Sequence, residues 1–524
     1  MTSLWLDGRP AVPAQPFEPG RVYDDVVVGA GITGLSTALM LARSGRRVVV
    51  LEAREVGALA SGNTTGKVSL LQGSRLSQLR AHHSRRVLRA YVDMNRDGQE
   101  WLLAFCEGAA VPVQWRTAYS YAPHPDAADT VEAEYRAGRE AGLPVSLVPG
   151  GEVDVPFDFA FGVALREQLQ LDPMDVLAAL AAAFAAEGGV LHTGTRVTGV
   201  RASDPAVVHT ELGDVAGGSV VLATATPILD RGLYFAKTTG LRSYALSFEI
   251  PDARPGSLPE GMFLSVGDPS RSVRTAPRRA GDGLRHAEGS PAAGEELLIV
   301  GGAGHPVGRA GRESERERVD ELLAWTQELY PAAQLTHAWS AQDYESHNLI
   351  PFVGALPRGR GRVYVATGFN KWGLTNGVAA GLRLHSEITG ESRADRRQWH
   401  RVLGTRLTKP ADLARGAKAG ATVGLETARG WLGTERDPVP VVQPREGTGV
   451  VANRRGRPVG ISTVDGVTCA VSAVCPHLGG VLAWNDAESS WDCPLHASRF
   501  AADGTRLEGP AVRDLPVIRR SSKA

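Results

Sequence analysis

The stretch Asp25-Val-Val-Val-Gly29-Ala-Gly31-Ile32-Thr33-Gly34 decides the fold of this chain. A short apolar strand, Asp25–Val28, runs into a glycine-rich turn; a helix over Leu35–Arg43 and a second strand, Arg47–Glu52, follow. G-x-G-x-x-G alone is weak evidence. Here it follows a strand, opens a helix, and precedes an acid that ends the second strand eighteen positions after the third glycine. Gly29, Gly31 and Gly34 permit the tight turn, the approach of backbone to a pyrophosphate and the packing of helix on strand. The helix N-terminus favours phosphate charge, and Ile32 and Thr33 of the turn join the glycines as candidate cofactor contacts. Glu52 is placed to accept hydrogen bonds from an adenosine ribose.

Outward from this unit, Ser61-Gly-Asn63-Thr64-Thr65-Gly-Lys67 is a polar loop suited to a ribityl chain. Far downstream, Val363–Gly368 reads as a strand running into Phe369-Asn370-Lys371-Trp372-Gly373, which opens another helix. Together with Gly194-Thr-Arg-Val197 and Val220-Val-Leu-Ala-Thr224-Ala225, these stretches resemble the D-amino-acid-oxidase-like superfamily of FAD enzymes over roughly residues 22–400. The resemblance implies an α/β fold: an FAD-binding Rossmann-like domain of glutathione-reductase type with an inserted α+β substrate domain. Its FAD-binding parts fall at about 22–80, 165–230 and 350–400, and its substrate parts at about 81–164 and 231–349. It also implies FAD contacts from Asn63, Thr64, Thr65, Val197, Thr224, Gly368, Phe369, Asn370 and Gly373.

A second motif lies near the C-terminus. Cys475-Pro-His477-Leu-Gly-Gly480 is C-x-H, and fifteen residues on, Cys493-Pro-Leu-His496 is C-x-x-H. Two thiolates can hold one iron and two imidazoles the other, as in a Rieske-type [2Fe–2S] cluster. Zinc also accepts two Cys and two His, but zinc fingers group like ligands together, whereas each loop here supplies one of each. The segment 448–517 resembles the Rieske domains, with two departures. Gly480 and Leu495 stand where high-potential members carry a disulfide, and Ala497 replaces the usual glycine after the second histidine. The likeness is therefore to disulfide-free, ferredoxin-like modules with a potential below the high end of the range. The expected layout is a linker over 401–437 and a small all-β domain over 438–524. The whole chain resembles the bacterial subgroup of the FAD superfamily fused to a C-terminal Rieske domain.

For chemistry, Lys371 on the downstream loop is a candidate to support the flavin or activate oxygen, and His347 is a candidate base. Tyr344 accompanies them. Arg242 and Arg274 have the chemistry of a carboxylate clamp, but salt-bridge or loop roles suit them better. Leu298-Ile-Val-Gly301-Gly-Ala-Gly304-His-Pro-Val-Gly308 imitates a second dinucleotide loop. No strand with a terminal acid follows it, so we read it as a strand of the substrate domain. Helical stretches are expected over Ser77–Phe105 and Pro173–Glu187, and an exposed loop over Ala276–Gly294.

Lys+Arg and Asp+Glu are both 57, which argues against a nucleic-acid partner. The longest apolar helical run, around Val176–Ala186, is shorter than the about 20 residues a bilayer requires. No secretory signal is evident, so the expectation is a cytoplasmic protein without membrane insertion. The leftover cysteines, Cys106 and Cys469, are expected to be buried thiols. The expected function is that of a flavin oxidoreductase acting on a small amine, amino acid or hydroxy compound. A one-electron relay is attached, and a ferredoxin-like carrier is a candidate partner. An NAD(P)H- or ferredoxin-linked reductase running the other way, or a non-catalytic electron-transfer or redox-sensing protein, are the alternatives.

Overall fold

The structure, a computed structural model, describes residues 1–251, 253, 257–278, 296–309, 313–404, 431 and 443–518. Most of the expected linker, and residues 279–294 of the expected loop, lie outside them.

The strand Val22–Val28 lies between Val48–Leu51 and Gly213–Leu222, parallel to both. Val190–His192 and Val363–Thr367 extend this sheet in parallel, and Phe352–Ala355 adds an antiparallel edge. A parallel sheet is covered on both faces, which is why its strands read as unbroken Val and Leu. Val26, Val27, Val49, Val50, Val220 and Val221 are all fully buried. The helix Ile32–Arg43 packs between the helices Pro173–Ala186 and Gly373–Ile388. Its buried hydroxyls are satisfied within the helix: Ser36 Oγ donates to the Ile32 carbonyl (2.7 Å) and Thr37 Oγ1 to that of Thr33 (2.6 Å).

A nine-stranded mixed sheet forms the second layer. Across it lie Gln334–Ser346, Thr238–Glu249, Glu296–Pro306, Arg271–Pro277, Met262–Ser265, Val113–Ala122, Phe161–Leu171 and Lys67–Val68, with Ser146–Pro149 paired to Phe161–Leu171. The imitation dinucleotide loop is part of the strand Glu296–Pro306, which carries Gly301 and Gly304 within it. The expected single helix over Ser77–Phe105 is two helices, Arg75–His82 and Arg85–Gly108. Ser84 breaks the run because its side chain caps the second helix, a preference that apolar periodicity conceals. Cys106 is buried, and burial pushes its thiol up to about 12; Cys469, expected to be buried, is partly exposed on Val467–Ser472.

The C-terminal domain comprises a three-stranded sheet (Gly449–Arg454, Arg457–Val464, Val467–Ser472) and a four-stranded one (Ala483–Asn485, Ser490–Asp492, Arg499–Ala501, Arg506–Glu508). It docks on the large domain through buried charge. Arg242 is fully buried and donates to Glu488 (3.0 Å), Ser340 Oγ (2.6 Å) and Gln342 Oε1 (2.8 Å). Burial pushes the Glu488 carboxyl up, but Arg499 and Arg242 outweigh it and hold the group down to about 2. Arg499 also pairs with Glu508 at 2.8 Å. Removing one member of a buried ion network costs about 3–5 kcal/mol, because the partner loses its compensation. Arg242→Met is therefore expected to lower the thermal unfolding midpoint clearly, as read by calorimetry. An unchanged midpoint would show that the network adds no net stability.

Candidate functional site

The glycine turn builds the first part of the site. Gly29 has φ +105°, open only to glycine at low cost, and a Cβ there would lie 2.6 Å from the Ala223 carbonyl oxygen. A Cβ on Gly34 would lie 1.8 Å from the Gly29 carbonyl oxygen, so helix and turn meet only without side chains. Glu52 accepts from the backbone N–H groups of Ala30 (2.8 Å) and Arg54 (2.9 Å), which fixes its carboxylate at the turn. Lone pairs remain on both oxygens for a ribose.

The loop carrying Asn63, Thr64 and Thr65 is held by its carbonyls. Trp339 Nε1 donates to Asn63 O (2.9 Å), Trp5 Nε1 to Thr64 O (2.6 Å) and Arg274 Nη1 to Thr65 O (2.6 Å). Arg274 and Arg242 thus serve loop and interface.

One elongated chamber runs from Glu52 past this loop to Lys371 and Trp372. Of the expected FAD contacts, Gly34, Gly368 and Asn370 stand behind its wall; Gly29, Gly31, Ile32, Thr33, Glu52, Asn63, Thr64, Thr65, Val197, Thr224, Phe369 and Gly373 line it. Asn370 Nδ2 donates to Glu345 Oε1 at 3.2 Å. A chamber with a glycine cradle and a fixed acid at one end fits a flavin dinucleotide.

The candidate catalytic residues divide. Lys371 lines the chamber. His347 lies outside the lining, with Nε2 3.1 Å from Thr239 Oγ1. Tyr344 is buried behind the wall, donating to Gly509 O (3.4 Å) and accepting from Gln342 Nε2 (2.9 Å). Neither lines the chamber: Tyr344 turns its hydroxyl to Gly509, and His347, just past the end of the strand, meets Thr239. Two residues that the sequence reading did not select do reach the chamber. Asp343 lines the chamber, and burial raises its carboxyl to about 6 even though the backbone N–H groups of Lys371 and Tyr344 donate to it. Lys67 is buried; its Nζ donates to Ser272 Oγ (2.6 Å) and Thr65 Oγ1 (3.1 Å). Burial, and then Arg274, push its amine well below the usual lysine range. The visible signal for Lys67 was a lysine closing an otherwise neutral polar loop.

The second part of the site consists of two matching loops. Cys475 N–H donates to Gly480 O (2.8 Å) while Gly479 N–H returns to Cys475 O (3.0 Å). Cys493 N–H donates to Ser498 O (2.8 Å), and Ala497 N–H returns to Cys493 O (3.0 Å). The position four residues after each cysteine is left-handed: Gly479 has φ +75° and Ala497 φ +63°. Glycine is the cheaper residue there; Ala497 instead sets its methyl against Gly240 of the large domain. The loops bring the Cys475 and Cys493 thiols into hydrogen-bond contact, which lowers the Cys475 thiol. The His477 and His496 rings lie 5.2 Å apart. His496 Nδ1 is buried without a partner, and His477 turns Nε2 to Asp230 (2.9 Å). Burial, then His477, lower His496 to about 4, so it is a neutral imidazole. Two sulfurs and two histidines presented on facing loops fit the Rieske ligand set. Leu495 packs on Gly480 where a disulfide would otherwise lie: a Cβ on Gly480 would be 2.6 Å from Leu495 Cγ.

Fold and site together define a flavin-nucleotide oxidoreductase carrying an iron–sulfur domain. The family model for FAD dependent oxidoreductase (DAO) matches residues 24–385, and that for the Rieske [2Fe-2S] domain matches residues 439–519. The chain belongs to the DAO family of FAD-dependent oxidoreductases, with FAD as its cofactor and a [2Fe–2S] cluster in its C-terminal domain. It is 26% identical over 513 residues to the Rieske 2Fe-2S iron-sulfur protein YhfW of Bacillus subtilis (strain 168), covering 97% of this chain and 95% of that protein. Among solved structures it is similar to glycine oxidase from Geobacillus kaustophilus, with a TM-score of 0.57 and 21% identity over 71% of this chain and 96% of that one. It is likewise similar to L-proline dehydrogenase from P. horikoshii, with a TM-score of 0.55 and 17% identity over 72% of this chain and 96% of that one. These two share the fold of the large domain. Among the described residues no helix is long and apolar enough to cross a membrane.

Proposed function

We propose that this chain dehydrogenates a small amine, amino acid or hydroxy compound at FAD and passes the electrons singly through its cluster to a one-electron carrier such as a ferredoxin. The observation that carries the reading is how the small domain docks. His477 and His496 both pack edge-on against Phe235 of the large domain, with ring centroids 5.3 and 4.8 Å away. Gln342 lines the chamber and donates to Ala497 O (2.8 Å), the residue after His496. The cluster's histidine edge thus faces the flavin domain. When bound, FAD accepts two electrons from a substrate and the cluster relays one at a time. The solved relatives named for glycine and L-proline favour an amino acid or similar amine among the substrates.

The chain's own part is to bind, orient and move a proton. Lys67, Ser272 and Gln342 present polar groups to the chamber, and Asp343 is the group placed to hold a proton there. Its carboxyl, raised to about 6, accepts a proton only when ionised. The rate of flavin bleaching is therefore expected to fall about tenfold per pH unit below about 6 and to level above it. Asp343→Asn should remove that limb; a profile with the same limb in the variant would exclude Asp343.

The experiment that tests the reading is an anaerobic screen of amines, amino acids and hydroxy acids on the holoprotein, followed at the flavin and cluster absorption bands. A substrate should bleach the flavin first and the cluster second, with a second rate that does not change with protein concentration. No bleaching across the panel would favour a non-catalytic electron-transfer role. Bleaching by NADPH alone would reverse the direction.

A further inference from the structure

We propose that the iron–sulfur domain supplies part of the wall enclosing the adenosine half of FAD, so that FAD leaves only when the two domains part. The inference rests on the FAD placement given above. Leu507, Glu508 and Gly509, which end the last strand of the small domain, line the same chamber as Glu52 and Val197. Their position is fixed from the large domain on two sides. Arg196 Nη2 donates to the Arg506 carbonyl (3.1 Å), and Arg506, almost fully buried, pairs with Glu211 at 2.7 Å. On the other side a Cβ on Gly509 would lie 3.7 Å from Ile228 Cγ2, and Tyr344 Oη donates to Gly509 O.

The end of the chamber so covered is the adenosine end. Thr195 N–H donates to Glu52 O (2.8 Å), so Arg196 and Val197 stand directly beside the acid that faces the ribose. The segment Leu507–Gly509 therefore bridges the Glu52–Val197 side and the Thr224–Ile228 side of the opening. In the large domain alone this edge of the chamber would be open to water. A ligand that touches both walls binds the docked state better than the parted one, and the coupling is reciprocal: docking tightens FAD, and FAD tightens docking.

The test uses the holoprotein and the double variant Arg309→Ala/Arg506→Ala, which removes two docking contacts without touching the chamber; Arg309 Nε donates to Pro494 O at 3.2 Å. FAD release is followed by the rise in flavin fluorescence after strong dilution of the holoprotein, docking by small-angle scattering, and the cluster by its EPR signal. Release at least tenfold faster than in the wild type, with the cluster signal unchanged, is the expected result. Parted domains with unchanged release would overturn the proposal. If the variant stays docked, amide exchange over residues 499–511 of the wild type decides. Slower exchange with FAD than after its removal supports the coupling, and equal exchange overturns it. Gly34→Val separates the underlying reading: normal FAD content in that variant would show that FAD lies elsewhere. FAD loss there, with unchanged release from the parted double variant, sinks only the enclosing role.

Discussion

With FAD supplied in excess, Cys493→Ser is expected to yield a protein that still binds FAD but holds no cluster, and in which delivery of electrons to a one-electron acceptor falls to background. Cys493 is buried, and its backbone closes one of the two facing loops through Ser498 and Ala497. A serine hydroxyl is a poor substitute for a thiolate ligand to iron. Since binding of a metal centre and folding of a small metal domain share one free energy, the small domain should also become more sensitive to protease. The docking network gives the same variant a second signature. Arg242 keeps its partner Glu488, and Glu488 its partner Arg499, only while the small domain's turn and strand that carry them stay folded. Flavin bleaching by substrate under anaerobic conditions should persist, because the Gly29–Gly34 turn and Glu52 belong to the other domain. Iron and sulfide content, EPR and the rate of reduction of a one-electron dye measure these outcomes. Full turnover with oxygen alone in the cluster-free variant would defeat the dehydrogenase reading, since oxygen would then reoxidise the flavin without help.

How much of this was legible in the sequence follows from the range of the interactions concerned. The glycine turn, the place of Glu52 beside it and the two facing Cys/His loops were legible because their geometry is local: each is fixed by a turn or a loop of a few residues. Parallel strands were legible because burial on both faces leaves unbroken valine. The pairing of Arg242 with Glu488, 246 residues apart, has no local signature. Neither has the docking of His477 on Asp230. Asp343 lines the chamber whereas Tyr344 and His347 do not, and no sequence pattern marks the difference. Ala341, Gln342 and Asp343 line it in succession, where Lys371 of the downstream loop meets Asp343, so alternation along Gln334–Ser346 does not say which side chains face it. Lys67 was passed over because a lysine in a polar loop reads as solvated. Its burial is made by Ser272 and Arg274, some two hundred positions away.

That burial makes Lys67→Met the second large expectation, with effects of opposite sign on activity and stability. The Lys67 amine meets only hydroxyls, those of Ser272 and Thr65, and the charged group nearest in effect is another cation, Arg274. An uncompensated cation in a buried chamber is costly, and burial answers by pushing its proton off. The folded-state value lies below the usual one, so protonation favours unfolding. Stability should rise with pH through the window between the lowered value and the ordinary lysine range. A site retains such a group when an anion docks against it: a substrate carboxylate, or negative charge developing on the ring system as it takes electrons. Methionine keeps the bulk and removes the donor. Loss of one preorganised donor of this kind lowers turnover by about 10²–10³-fold. The same change should stabilise the FAD-free protein by about 1–3 kcal/mol, by removing a buried polar amine that no carboxylate compensates. Anaerobic flavin bleaching and calorimetry of the FAD-free protein read the two effects separately. A variant that is both slower and less stable would mean that Lys67 is a structural residue of the loop. One that is unchanged in rate would mean that no anion is met at this end of the chamber.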